Sequence, residues 1–321
     1  MLDYLSSFEL LDRVESDEAP CVFFGASLPA LFWFKRVRRA RNRCLHFCFE
    51  PPRFLDRDRE DILRRVSSVA RMVLRPAFAV YRHLARAFVS AADAVLTQGV
   101  FGRSEIERAY GRSAIVIQHG PELAFLQRPE RAPLTVMTVN YLHPRKRVGL
   151  FLQTLAVLRE RGLPIRGCIV GEGPERQALE GEASRLGLAS LVSFRGFVPD
   201  ADLPAAYAEA DLYLHTGRLE SFGLSLLDAL ASGLAVVSVA EGGPTEILEH
   251  RVTGWLAEAN PESLADGIEK LALDGDLRRT IGRSAAQMVS SRYGWSIGTE
   301  ARVEAAWGKD VSAVCPTHPR P

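Results

Sequence analysis

The chain has 321 residues, of which 47% are hydrophobic and 25% charged, so it can bury a core and is neither disordered nor collagen-like. At about 100 to 200 residues per domain, this length predicts two domains or one large one. The 40 Lys and Arg residues balance 39 Asp and Glu residues, so the net charge does not indicate nucleic acid or another polyanion as a partner.

The five cysteines are scattered and odd in number, which fits neither a zinc site nor a disulfide framework. The longest apolar runs fall far short of the roughly 18 residues that a membrane span needs. The N-terminus is acidic where a signal peptide would be basic. We therefore expect a soluble, cytoplasmic protein.

The first part of the chain alternates strand candidates, at 21–24, 44–49, 94–97 and 114–118, with helical periods. A helical apolar stripe runs over 62–88, and Pro76 is expected to kink or split it.

Charge is uneven in this part. Residues 35–86 hold fifteen Lys and Arg against five Asp and Glu, a difference of +10. A solvated face is the default interpretation, and an anionic membrane surface or acceptor is the alternative. No aromatic stacking pattern accompanies the charge, so we expect no nucleic-acid partner. If the membrane interpretation holds, the protein is peripheral on the inner face of the membrane.

From about residue 133 the alternation is cleaner, with strand candidates at 134–139, 165–170, 191–194, 212–215 and 234–239. Most are apolar on both faces, which predicts a doubly wound parallel sheet covered by helices on both sides. Three helical stretches follow Asn260, the last near 297–307. A Pro-containing linker places the predicted domains at 1–128 and 129–295, with a crossover helix and frayed tail at 296–321.

The chemistry concentrates where the strand at 212–215 leads through a polar loop into a helix predicted to begin near Phe222. A helix N-terminus offers free N–H groups to an anion, and Gly223 lets a phosphate approach. Glu220 and Asp228 flank that place. Two acids beside a diphosphate need another task, and accepting hydrogen bonds from sugar hydroxyls is the obvious one. The segment therefore predicts a nucleotide-sugar site.

The run Glu220-SFGLSLL-Asp228, followed by AlaLeuAlaSerGly and Gly242-Gly243, resembles the E-x7-E region of retaining glycosyltransferases with the GT-B fold, family 4. The likeness continues in four further motifs: GEGP at 171–174, GFVP at 196–199, TGWL at 253–256 and RYGW at 292–295. It is strong over about 133–307 and weaker before.

This resemblance implies an α/β fold of two Rossmann-like, doubly wound domains facing a cleft. It also implies a hexosyltransferase that moves a sugar from a nucleotide diphosphate sugar, of the UDP or GDP type, to a hydroxyl acceptor. No cofactor and no essential metal are expected.

The resemblance also implies roles for single residues. Lys146 neutralises the donor diphosphate, Glu220 binds the transferred sugar and Asp228 binds the ribose. Asp228 stands where the family usually has Glu. The other donor-binding positions are Gly171, Glu172, Gly173, Val198, Ser221, Phe222, Gly223 and Leu224.

Two positions depart from the family pattern. Asn140-Tyr141 replaces the usual Gly-Arg, so Arg145 or Arg147 is expected to take over the phosphate contact. Phe49 stands where a sugar-contacting His is common. The acceptor side is then assigned to His46 and His119, although packing is the simpler interpretation of His119, as it is of His215.

Two Asp-x-Asp runs, at 56–58 and 200–202, are interpreted as helix-start acids and not as a metal site. A non-catalytic nucleotide-sugar-binding subunit stays open as an alternative if Phe49 and Tyr141 mark lost function, and so does a nucleotide-sugar epimerase on the same fold. Because the first strand candidate begins only at 21, we also expect a shortened first domain that tends to self-associate.

Overall fold

A computed structural model of the chain describes residues 22–25, 43–52, 59–117, 119–126, 132–294 and 304. The chain divides into two compact units, residues 1–118 with 296–321 and residues 119–295. Both contain parallel sheets with helices, which confirms the predicted α/β class. The predicted domain limits at 128 and 295 stay a prediction.

The first unit contains a four-stranded parallel sheet in the order β1-β2-β3-β4. Its strands are β1 (Val22–Gly25), β2 (Arg43–Phe47), β3 (Ala94–Thr97) and β4 (Ile115–Val116). Among the described residues, the helices of this unit are α1 (Arg59–Arg65), α2 (Ser68–Val89) and α3 (Val100–Tyr110). Each of the four predicted strands overlaps an observed one.

The helical stripe predicted over 62–88 is broken before Ser68 and not at Pro76. Ser67 is the N-cap of α2, and its Oγ accepts a hydrogen bond from the Ala70 N–H at 3.3 Å. A serine there satisfies one of the free N–H groups of a new helix. Pro76 lies inside α2, which continues to Val89, so Pro76 does not split the helix. The alternative expectation of a kink at Pro76 stays a prediction.

The apolar stripe of α2 is largely exposed. Val69, Met72, Val73 and Val80 expose between 59% and 71% of their surface, whereas only the last turns bury side chains, at Ala85 and Val89. The core of this unit lies instead around β2, the end of α2 and α3.

The second unit contains a six-stranded parallel sheet in the order β10-β9-β8-β5-β6-β7. Its strands are β5 (Leu134–Val139), β6 (Ile165–Val170), β7 (Val192–Gly196), β8 (Leu212–His215), β9 (Ala235–Val239) and β10 (Trp255–Ala257). Its helices are α4 (Val148–Glu160), α5 (Arg176–Arg185), α6 (Leu203–Ala208), α7 (Leu224–Ala231), α8 (Pro244–Ile247), α9 (Pro261–Leu273) and α10 (Gly275–Arg292). β10 was not predicted, because three residues carry no periodic signal.

Helices cover both faces of this sheet. Helices α4 and α9 pack on one face, where Phe151 and Ile268 are fully buried. Helices α7 and α10 pack on the other, with Leu226 and Ala285 fully buried. Successive strand residues such as Val136 and Met137 point to opposite clusters, as alternation in a strand requires. The doubly wound prediction is confirmed.

The chain begins this sheet at β5, continues outward through β6 and β7, and then returns to place β8 on the other side of β5. The direction of winding therefore reverses between β5 and β8. In open parallel sheets, ligands bind in the crevice at the carboxyl ends of the strands at such a reversal. Within the described ranges, no helix is both long and apolar enough to cross a membrane.

Candidate active site

Two loops leave the carboxyl ends of β5 and β8, and each carries a predicted site residue. The loop after β5 carries Lys146, and the loop after β8 carries Glu220. Thr216 Oγ1 donates a hydrogen bond to the Lys146 carbonyl at 2.8 Å. The Arg218 N–H donates to the Arg145 carbonyl, also at 2.8 Å. These bonds fix the two loops against each other.

Both loops contain a non-glycine residue in the left-handed backbone region. Arg147, directly after Lys146, has φ 47°, and Leu219, directly before Glu220, has φ 48°. Such conformations cost on the order of 1–3 kcal/mol and persist only where the surroundings enforce them, which is most often at functional sites. Both strained residues adjoin a predicted site residue.

The side chain of Arg147 is engaged within the protein. Its Nε donates to the Thr216 carbonyl at 2.8 Å, and its Nη2 lies 3.0 Å from Glu241 Oε2. The guanidinium therefore holds the loop after β8 in place, and a phosphate would have to compete with Glu241 for it. Arg145 is half-buried in the same loop.

Glu220 lies between two nitrogen groups. Lys146 Nζ hydrogen bonds to Glu220 Oε1, and His215 Nε2 lies 3.1 Å from Oε2. The 3.1 Å contact is not aligned as a hydrogen bond. Burial alone would raise the pKa of Glu220, but the adjacent imidazole of His215 and the charge of Lys146 outweigh it and hold the pKa well below its ordinary value. Glu220 is therefore a carboxylate across the neutral range.

The contact of His215 was missed by the sequence interpretation, which favoured packing. His215 is the last residue of β8 and is fully buried. The signal available in the sequence was its place at the carboxyl end of a strand, shortly before an acid in a polar loop.

The loop after β8 ends at the N-terminus of α7, which begins at Leu224, two residues after the predicted start near Phe222. Gly223 is the N-cap residue at φ 102°, a conformation that glycine adopts without strain. Phe222 is buried, with its ring centroid 5.9 Å from that of Tyr293, and Leu224 is exposed. Ser221 is buried, and its Oγ makes no hydrogen bond within the described residues.

The glycine pair at 242–243 packs against the backbone of Glu220. Gly242 has φ 68°, and a Cβ at this position would lie 2.6 Å from the Glu220 carbonyl oxygen. The Gly243 N–H donates to that oxygen at 2.7 Å. A side chain at Gly242 would displace the backbone of Glu220.

Asp228 lies within α7, and its carboxylate binds the backbone of the preceding segment. Its Oδ1 accepts a hydrogen bond from the Glu122 N–H at 2.8 Å. Burial raises the pKa of Asp228 to about 6, opposed by hydrogen bonds from the backbone of Glu122 and Leu123. Lys146, Glu220 and His215 therefore form one cluster, and Asp228 makes separate contacts.

The loops after β5, β6 and β7 are also joined. The Gly171 N–H donates to the Gly196 carbonyl at 2.8 Å, and the Leu142 N–H donates to the Glu172 carbonyl at 2.8 Å. Val198 follows on β7 and is half-buried. These two bonds hold the loop that carries Gly171 and Glu172 against the loop after β5 and the end of β7. In the loop after β6, the Glu172 side chain accepts a hydrogen bond from Arg176, and Gly173 has φ 159°.

The positions that depart from the family pattern are ordered. Asn140 is buried, and its Nδ2 donates to Thr138 Oγ1 at 2.7 Å. Tyr141 is 63% exposed and stacks on His143 with ring centroids 6.3 Å apart. An exposed aromatic ring therefore stands at the position where the resemblance leads us to expect an arginine.

Of the two histidines predicted for the acceptor side, His46 is buried on β2 in the first unit, and His119 is buried in the second unit. Phe49 is 47% exposed and its ring lies 4.6 Å from that of Phe47.

Across the part of the chain that the structure describes, no group of three or more His, Cys, Asp or Glu side chains is placed to hold a metal ion. Asp202 is the N-cap residue of α6 but makes no side-chain capping bond. Asp56 and Asp58 lie outside the described residues.

Residues 124–288 match the family Glycosyl transferases group 1, and the chain belongs to this family. The matched segment contains both loops of the Lys146–Glu220 cluster.

Named relatives support the match. The chain is 36% identical over 161 residues to "Uncharacterized glycosyltransferase MJ1607" of Methanocaldococcus jannaschii, covering 50% of this chain and 41% of that protein. It is 32% identical over 203 residues to a phosphatidyl-myo-inositol mannosyltransferase of Mycobacterium tuberculosis, covering 59% and 52%. The chain thus spans about half the length of the named relatives that it matches.

Solved structures share the fold. Anabaena Alr3699/HepE, in complex with UDP and glucose, superposes with a TM-score of 0.72 at 22% identity, covering 89% of this chain and 78% of that one. Sucrose-phosphate synthase of Thermosynechococcus elongatus gives a TM-score of 0.74 at 18% identity, covering 95% and 77%. These likenesses show a GT-B glycosyltransferase fold.

Proposed function

We propose that the protein is a retaining glycosyltransferase of family 4 that moves a hexose from a UDP- or GDP-linked donor to a hydroxyl acceptor. The observation that carries this proposal is the Lys146–Glu220 pair at the reversal point of the second sheet. A relative named as a GDP-mannose-dependent mannosyltransferase, 30% identical over 169 residues, and the neighbour bound to UDP and glucose are consistent with it.

In this proposal the donor diphosphate lies at the N-terminus of α7. The first N–H groups of a helix have no partner inside it, so those around Gly223 and Leu224 can bind phosphate oxygens. Lys146 adds a positive charge beside them. When the bond between the sugar and the diphosphate breaks, the electron pair leaves with the diphosphate. Stabilising that charge is the main catalytic contribution, and we propose that it needs no metal ion.

Glu220 accepts hydrogen bonds from hydroxyls of the transferred sugar, because its ionised carboxylate is an acceptor only. The acceptor hydroxyl forms the new bond to the sugar, and its proton passes to an oxygen of the departing diphosphate. Asp228 faces the ribose in this arrangement, sharing its carboxylate with the Glu122 N–H. Gly171, Glu172, Gly173 and Val198 line the nucleotide side.

The test is an assay of the full chain with a panel of UDP- and GDP-sugars and a mixture of hydroxyl acceptors. We expect release of one nucleotide diphosphate and a product whose anomeric configuration, read by NMR, matches that of the donor. Nucleotide-sugar binding without turnover would favour the non-catalytic subunit. Conversion of the donor to its epimer without an acceptor would favour the epimerase. An inverted product would contradict the retaining mechanism.

We also propose that the protein is cytoplasmic and attaches peripherally to an anionic membrane through α2. Its exposed apolar stripe lies on the face opposite four arginines, and its 22 residues contain no Asp or Glu. A basic amphipathic helix of this kind lies in the membrane interface and favours anionic lipid.

Binding to phosphatidylserine vesicles should therefore fall as NaCl is raised from about 0.05 to 0.5 M, because salt screens surface charge. Replacing Val73 and Val80 by Asp should abolish flotation with these vesicles, whereas Leu273→Asp, at an exposed apolar position of α9, should not. Equal binding to zwitterionic and anionic vesicles at low salt would contradict the proposal.

A further inference from the structure

We propose that His215 is a positioning residue that holds Glu220 in the orientation in which it binds the donor sugar. The inference rests on the proposed function. It concerns a residue to which the E-x7-E motif gives no role.

The geometry gives each oxygen of Glu220 a different partner. Oε1 bonds to Lys146, and Oε2 lies 3.1 Å from His215 Nε2. The two partners differ in rigidity. Lys146 is a long side chain that exposes 28% of its surface, whereas His215 is completely buried. His215 also belongs to a central strand, where it pairs in register with Ser238 of β9.

The surroundings of the imidazole leave little room for another arrangement. A Cβ at Gly217 would lie 2.5 Å from Glu220 Oε2 and 3.0 Å from His215 Nε2. A Cβ at Gly223 would lie 3.9 Å from His215 Cε1. The absence of a side chain at Gly217 therefore allows the imidazole and the carboxylate to meet, whereas a Cβ at Gly223 would only touch the imidazole. A histidine that served only to fill space would not require a carboxylate at its Nε2.

The contact between His215 and Glu220 matters most when the donor is bound. In the proposed function the Lys146 ammonium also binds the diphosphate, which weakens its hydrogen bond to Glu220 Oε1. A buried carboxylate that loses its partners is costly and would rotate or take up a proton. His215 Nε2 lies 3.1 Å from Oε2 and is therefore near enough to donate to it once the carboxylate turns away from Lys146. That bond would hold Oε2, so Oε1 is presented to a sugar hydroxyl at a fixed position. Small errors in such positioning cost large factors in rate.

Two variants separate positioning from packing. His215→Met has similar bulk but no N–H donor, and His215→Gln places an amide N–H near the position of Nε2. We expect His215→Met to lower kcat by about tenfold or more, which is the effect of losing about 1.4 kcal/mol. The affinity for free UDP or GDP should change by less than about threefold, and His215→Gln should recover most of the rate.

Transfer by His215→Met at the wild-type rate, or equal loss in both variants, would overturn the inference. A second readout does not depend on transfer. In 15N-labelled protein, NMR should show His215 Nε2 protonated, with a resonance that shifts in Glu220→Gln. An unprotonated Nε2, or no shift, would overturn the inference even if no donor is found. Absence of transfer in the wild-type protein, with the NMR result as expected, would instead count against the proposed function.

Discussion

Replacing Glu220 by alanine should lower the transfer rate by about 30-fold to 1,000-fold, which corresponds to about 2–4 kcal/mol of transition-state stabilisation. Binding of free UDP or GDP should remain nearly unchanged, because Glu220 is expected to contact the sugar and not the diphosphate. The measurements are initial rates with a saturating donor and calorimetric binding of the nucleotide.

Glu160→Ala is the matched control for this variant. Glu160 is 71% exposed at the end of α4, and its closest basic partner, Arg159, lies 3.9 Å away. We expect it to retain the wild-type rate. Transfer by Glu220→Ala at that same rate would remove Glu220 from the proposed mechanism.

Lys146→Ala should lower both the rate of sugar transfer and the affinity for free UDP or GDP, because the ammonium is expected to bind the diphosphate in the donor and in the free nucleotide. We expect a rate loss of about 2–4 kcal/mol, together with weaker UDP or GDP binding. The variant also leaves Glu220 Oε1 without its lysine partner. Binding should be compared with that of the nucleoside monophosphate, which lacks the second phosphate and should be affected less.

Lys270→Ala is the control, since Lys270 is exposed on α9 and its acidic neighbour, Asp274, lies 4.0 Å away. Normal diphosphate binding by Lys146→Ala, with or without a loss of rate, would show that Lys146 does not bind the diphosphate. The contrast between the two variants is the informative result. Loss of sugar transfer alone is expected for Glu220, and loss of transfer and nucleotide binding together for Lys146.

Local patterns in the sequence determined the strands of the second unit. Short apolar β-branched runs between helical periods specify buried parallel strands, and three of the strands predicted there, at 134–139, 165–170 and 212–215, match the observed limits. The polar loop and helix that carry Glu220 and Asp228 are also a local feature, because both residues lie within one short segment. Such information needs no knowledge of which distant elements meet.

Only the tertiary structure could decide which side chains meet across the loops. Lys146 and Glu220 are 74 residues apart, and no periodicity links them. Their contact follows from β8 being inserted beside β5. The same folding places Asp228 against the Glu122 N–H, 106 residues away, and draws the Arg147 guanidinium to Glu241. Counting charged residues along the chain shows how many acidic and basic side chains are present but not which of them pair.

Burial is the second quantity that the sequence left open. The sequence is compatible with a buried position both for the apolar stripe of α2 and for the histidine at the end of β8. In the structure, Val73 of the stripe is 61% exposed, whereas His215 is fully buried. An amphipathic period states that one face is apolar, and whether another element covers that face depends on the packing of the whole unit. For His215, the sequence indicated a packing role. In the structure the loop after β8 encloses this histidine and brings Glu220 next to it.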